Sequence, residues 1–193
     1  MIITKEFLKN ESQKRNITSF SQRSILNENL ITKSTNQNYD IFISHSFLDK
    51  ELVLTLVELF NEAGYSVYVD WIEDTELDRT NVTKKTADLV RSRISQSKSL
   101  AYIVTANISN SKWCPWELGF ADGKLGNRAA ILPILDDNRN FNGQEYLSLY
   151  PHIDYVKGTN EILDFWVNDP STDNTYVTLR EWINGKQPYY RKN

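Results

Sequence analysis

The segment Ser111-Lys112-Trp113-Cys114-Pro115-Trp116-Glu117-Leu118-Gly119-Phe120 gathers a carboxylate, a thiol and three large aromatic side chains. Proline lacks an amide hydrogen and fits a helix only in its first turn, so Pro115 predicts a helix that starts near Trp113. Glu117 then lies about one turn inside, where the positive end of the helix dipole favours a carboxylate. Helical spacing puts Trp113 one turn below Glu117 on the same face, with Phe120 further along it. The chemistry open to such a group is that of a fixed anion framed by flat aromatic faces. The same spacing also describes an amphipathic helix in which Trp113, Trp116 and Phe120 enter the core and Glu117 complements the dipole. Spacing alone leaves both readings open.

Other chemical motifs are excluded. No G-x-G-x-x-G follows a strand, and Gly123-Lys124 is followed by Leu125 late in a helix, so phosphate-loop binding is out. No G-x-S-x-G elbow occurs, and a hydrolase triad would have to recruit His45 or His152 without local support. Asp40, Asp49 and Asp70 lack the paired acids and the lysine of a phosphoacceptor receiver. Cys114 is the only cysteine and there are two histidines, so no disulfide framework, C-x-x-C cluster or metal site is expected. Cys114 reads as a packing thiol.

The elements that must position this segment begin at Tyr39. Tyr39-Asp40-Ile41-Phe42-Ile43-Ser44 reads as a strand. A polar turn follows, with Asp49 placed to cap a helix carrying Leu52, Leu56, Leu59 and Phe60 until Gly64. Tyr65 to Trp71 reads as a second strand, followed by an acidic loop from Ile72 to Thr80 and a helix around Thr83 to Ser95. A third strand, Leu100 to Thr105, leads to the helix of Trp113 to Leu125, and a fourth runs from Ala129 to Leu135. Ile153 to Val156 reads as a fifth, edge strand, with two later helices covering it. Strands alternating with helices predict an α/β, flavodoxin-like three-layer sandwich around a parallel sheet. Ligands of such sheets settle outside the carboxyl ends of the strands, here the loops after Ser44, Trp71, Thr105 and Leu135.

Residues 1–38 are polar and rich in Asn, Ser, Lys and Thr, with scattered apolar positions that allow one or two weak amphipathic helices. They read as an N-terminal extension to a domain spanning 39–193. Charges interrupt the N-terminus too early for a signal peptide, and no apolar run approaches membrane-spanning length. The reading is a cytoplasmic protein away from membranes. A net charge of −3 and a pI near 5.5 argue against a nucleic-acid partner, which requires a basic stripe. The Asn-x-Ser/Thr triplets at Asn16, Asn81 and Asn107 are chance matches in an Asn-rich chain.

Three segments, Tyr39-Asp40-Ile41-Phe42-Ile43-Ser44-His45-Ser46, Gly64-Tyr65-Ser66-Val67-Tyr68-Val69-Asp70 and Trp113-Cys114-Pro115-Trp116-Glu117-Leu118, resemble in order the three boxes of Toll/interleukin-1 receptor (TIR) domains. The resemblance is strong over about Tyr39 to Leu135 and weak beyond. It implies the flavodoxin-like fold with a five-stranded parallel sheet between helices. TIR domains are either self-associating adaptors or enzymes that cleave NAD+ with a glutamate four residues after a tryptophan, the spacing of Trp113 and Glu117. The size and the added N-terminal segment resemble the TIR component of the Thoeris antiphage system. That resemblance implies a cyclic ADP-ribose isomer made as a messenger for a partner effector, under a trigger from infection or from self-association.

The implied chemistry is physically consistent. Nicotinamide leaves NAD+ as a neutral molecule, so the general acid of ordinary glycosidases is unnecessary and one carboxylate suffices. An ionised Glu117 would hold ribose hydroxyls and stabilise the oxocarbenium-like transition state. Trp113 and Trp116 offer flat faces, His45, Ser46 and Phe47 the opposite wall, and Trp71 a face toward the same pocket. NAD+ is then the substrate, with no resident cofactor or metal. A pocket that stacks adenine near the ribose and excludes water would favour an internal nucleophile, hence cyclisation. The sequence departs from many TIR relatives in having no Gly or Pro between Gly64 and Pro115. The acidic loop of Asp70, Glu73, Asp74, Glu76 and Asp78 reads as a solvated edge or a partner site, apart from the catalytic pocket. Two rivals stand beside the enzyme: a non-enzymatic interaction module, and a nucleoside deoxyribosyltransferase-like enzyme that exchanges bases through a covalent sugar intermediate.

Overall fold

A computed structural model describes residues 1–17, 38–74, 83–136, 145–158 and 162–192. Five parallel strands form its centre: β2 (Tyr39–Ser44), β3 (Val67–Tyr68), β4 (Ser97–Val104), β5 (Ala129–Leu135) and β6 (His152–Lys157), in the order β3-β2-β4-β5-β6. That is the flavodoxin-like order, with the topological switch at β2 and β4. The sheet is larger than the five strands read from the sequence, reaching nine among the described residues. β6 is no edge: β7 (Leu163–Asn168), β8 (Thr175–Thr178) and β9 (Tyr189–Tyr190) continue the sheet antiparallel. Where two closing helices were expected, one short α-helix occurs among the described residues, α6 (Leu179–Ile183).

The ninth strand, β1 (Ile3–Thr4), comes from the N-terminus and pairs parallel with the end of β5, Ile3 opposite Ile134 and Thr4 opposite Leu135. β5 thus has two successive partners on one edge. The Ile131 amide donates to Pro151 O at the start of β6. Two residues on, at the change of partner from β6 to β1, stands Pro133, whose missing amide faces that seam by strand alternation. The N-terminal ammonium donates to Tyr155 O at 2.7 Å, and α1 (Lys5–Lys14) follows at once, capped by the Thr4 hydroxyl accepting from Phe7 N. Residues 18–37 of the expected extension lie outside the described residues.

Strand alternation divides the core. Ile41, Ile43, Ala101, Ile103, Ala130 and Leu132 face α1, α2 (Lys50–Glu62) and α6, whereas Phe42, Leu100, Tyr102, Val104, Ala129 and Ile131 face α4 (Lys84–Ser95) and α5 (Trp113–Lys124). In α2 the whole run Val53 to Val57 is buried, because α1 and β7 pack on its outer sides, with Phe60 4.3 Å from Phe165. Gly64 ends α2 at φ +78°, where a side chain would be strained. The second predicted strand is cut short: after Val69 the chain turns into a helical segment, α3 (Asp70–Glu73). Within the expected solvated edge, Asp70 is buried, and Asp74 receives two bonds from the Arg93 guanidinium at 2.8 and 2.9 Å and one from Tyr68 OH. Glu76 and Asp78 lie outside the described residues.

His152 lies in β6, where burial pushes its imidazole below the ordinary value and Asp154 opposes that shift. The unfolded chain therefore takes up this proton more readily than the folded one, so the stabilisation is present above the ordinary imidazole value and is lost as pH falls through it. Urea unfolding is expected to show stability declining from about pH 7 to about pH 5, with a shallower decline in His152→Gln.

Candidate active site

Ser44 closes β2, and alternation turns it to the same face as Phe42, the face that α5 covers. Its hydroxyl donates to Glu117 Oε2 at 2.6 Å. Glu117 is fully buried, in the inward stripe of α5 with Cys114, Leu118 and Ala121. At about 100° per residue, Glu117 stands between this stripe and a half-buried aromatic flank of Trp113, Trp116 and Phe120. Trp113 meets Trp116 edge-on at 5.4 Å, and Trp116 stacks on Phe120 at 5.9 Å. The helix starts at Trp113, as Pro115 requires, with the Cys114 amide donating to Ser111 Oγ. Beside it, Tyr102 is 1% exposed; burial, and then the nearby Tyr146, Cys114 and Glu117, push its phenol upward, so it stays neutral.

The turn after β2 completes the edge. The Cys114 thiol donates to His45 O at 3.1 Å, tying α5 to this turn. Trp71 Nε1–H donates to His45 Nε2 at 2.8 Å, which makes that nitrogen the acceptor and puts the ring hydrogen on Nδ1, 3.3 Å from Ile43 O. Ser46 is buried, its carbonyl accepting from the Asp49 amide, whereas Phe47 projects at 69% exposure. The structure therefore joins Glu117, Ser44, His45 and Trp71 in sequence through side-chain bonds and one peptide link. Trp113 and Trp116 flank the carboxylate's helix, and Phe47 stands at the rim.

Asp49 precedes α2 but makes no side-chain cap. Its carboxylate instead accepts from Thr105 Oγ1 at 2.6 Å and Asn107 Nδ2 at 2.7 Å, fastening the β2 turn to the loop that leads into α5. Asp49→Ala leaves both donors without this acceptor and is expected to cost about 1–3 kcal/mol in urea unfolding. Sequence reasoning missed this clasp and the role of Ser44. The available signal was a polar residue ending an otherwise apolar strand. Among the described residues no group of His, Cys, Asp and Glu is arranged to hold a metal ion, and no helix is long and apolar enough to cross a membrane.

This order of strands, with a buried glutamate four residues after a tryptophan at the carboxyl edge, coincides with a direct family match: the TIR domain profile covers residues 41–166. The chain belongs to the TIR domain family. It is 42% identical over 166 residues, 83% of each chain, to a Bacillus cereus (strain MSX-D12) protein named probable 3' cyclic ADP-D-ribose synthase ThsB'. It is 29% identical over 141 residues to the NAD(+) hydrolase TcpC of Escherichia coli O6:H1 (strain CFT073), covering 69% of this TIR chain and 41% of that one. Among solved structures, the TIR domain of the Toll-related receptor TRR-2 from Hydra magnipapillata aligns with a TM-score of 0.43 at 23% identity, over 57% of this chain and 78% of that one.

Proposed function

We propose that this TIR chain cleaves NAD+ at the nicotinamide–ribose bond and closes the remaining ADP-ribose into a cyclic isomer that signals in antiphage defence. The observation that carries the reading is Glu117, wholly buried yet hydrogen-bonded by Ser44 at the sheet's carboxyl edge. Its support is the 42% identity, across most of both chains, to a relative named for cyclic ADP-D-ribose synthesis. A carboxylate is costly to bury and is retained where a developing positive charge needs it.

In this reading the C1′–N bond breaks, its electron pair leaves with nicotinamide, and positive charge grows on the ribose beside Glu117. A nucleophile within the ADP-ribose portion then bonds to C1′ and releases its proton, so NAD+ yields cyclic product, nicotinamide and one proton. Trp113 and Trp116 supply flat faces, with His45, Ser46, Phe47 and Trp71 forming the opposing wall. No metal or resident cofactor enters the scheme. The 3′ cyclic form in the relative's name is the isomer to seek first.

Three further parts complete the reading: the cytoplasm as the compartment, a partner effector that reads the diffusible product, and activation by a phage-derived trigger or self-association. Exposed Phe47 and Leu48 at the rim are apolar surface that a second molecule would cover. Mass spectrometry of nucleotides from cells carrying the chain, before and during phage infection, tests the function. An ion isobaric with cyclic ADP-ribose is expected on infection; unchanged NAD+ with no new ion would refute it.

A further inference from the structure

Lys50 opens α2 directly after the turn of His45 to Asp49. Its ammonium lies 3.5 Å from the centroid of the Phe47 ring and 5.0 Å from that of Trp71. It is half-buried, and burial draws its pKa down, with the charge of Asp70 acting in the opposite direction. Lys50 makes no hydrogen bond or ion pair among the described residues. A cation set against two rings, partly stripped of water and with no N–H donor engaged among the described residues, is prepared to take an anion.

The place of this cation decides which anion. Trp71, beneath the ammonium, is bonded to His45, and the residue before His45 donates to Glu117. Lys50 and Glu117 are therefore linked through Trp71, His45 and Ser44 by side-chain contacts and one peptide bond along the carboxyl ends of β2 and β3. Resting on the NAD+ reading above, the substrate presents a pyrophosphate a few bonds from the ribose that Glu117 would hold. We propose that Lys50 binds a phosphate oxygen of this pyrophosphate and so selects a dinucleotide over phosphate-free nicotinamide compounds. The aromatic contacts hold the lysine stem in place before the ligand arrives, which lessens the ordering cost of binding. The charge of Asp70 works against the lowering of the lysine's pKa by burial.

Calorimetric titration of the full chain with ADP-ribose, which carries the pyrophosphate, and with nicotinamide, which carries none, separates this role from a structural one. Lys50→Met keeps the packed stem without the charge and is expected to weaken ADP-ribose binding about tenfold or more, with nicotinamide binding unchanged. Lys50→Arg is expected to stay near the wild type. Raising salt should weaken ADP-ribose binding to the wild type more than to Lys50→Met. Unchanged ADP-ribose affinity in Lys50→Met, or equal loss of both ligands, overturns the proposal and leaves the NAD+ reading standing. A wild-type chain that binds nicotinamide but not ADP-ribose likewise overturns the proposal alone.

Discussion

Glu117→Gln is expected to abolish NAD+ cleavage, by at least about 10²–10³-fold, in a protein that folds as before. The amide has the shape of the carboxylate and its oxygen can still accept from the Ser44 hydroxyl, whose oxygen lies 2.6 Å from Glu117 Oε2. What the substitution removes is the capacity to carry a negative charge in a wholly buried position, where such a charge would act on the developing cation with little screening by water. The expected pattern is lost nicotinamide release with thermal unfolding preserved or improved, since a buried charge is costly to keep. An unfolded variant would make the carboxylate structural. A folded variant with full activity would move the chemistry elsewhere in the chain.

The second large effect lies far along the sequence from that site. Ile3→Ala and Leu8→Ala are each expected to destabilise the fold by about 2–5 kcal/mol, the cost of large-to-small changes in a packed core. Both side chains are fully buried in the cluster that holds α2, β5 and β6. Ile3 also sits in the strand that continues the edge of β5 beyond Pro133. Urea unfolding gives the figure. A loss below about 0.5 kcal/mol, as at an ordinary surface position, would mean that these residues only rest against the domain.

Residues 39–135 were legible because each strand is an apolar run and each helix repeats at its own period. The place of Glu117 one turn inside its helix could be read because Pro115 fixes where that helix begins, and the order of the three TIR-like boxes pointed to the family. The misses have physical causes. β1 is two residues long and gains its place through a partner far along the chain, which no local pattern encodes. β7 does alternate, with Leu163, Phe165 and Val167 inward, but its pairing to β6 and β8 is set by tertiary packing rather than by its own sequence. Trp71 reads as the end of a strand, yet it occupies a helical turn that brings its indole to His45. Lys50 carried no sequence signal at all, since a lysine opening a helix is ordinary until its neighbours are seen.

The most direct test of the central claim follows the fate of C1′ itself. Extracts of phage-infected cells carrying either the wild-type chain or Glu117→Gln, made up in ¹⁸O water and supplied with ribose-labelled NAD+, are read by mass spectrometry. Labelled cyclic ADP-ribose isomer without ¹⁸O is expected from the wild type and intact NAD+ from the variant. Open-chain ADP-ribose carrying ¹⁸O as the sole product, or the same products from both proteins, would contradict it.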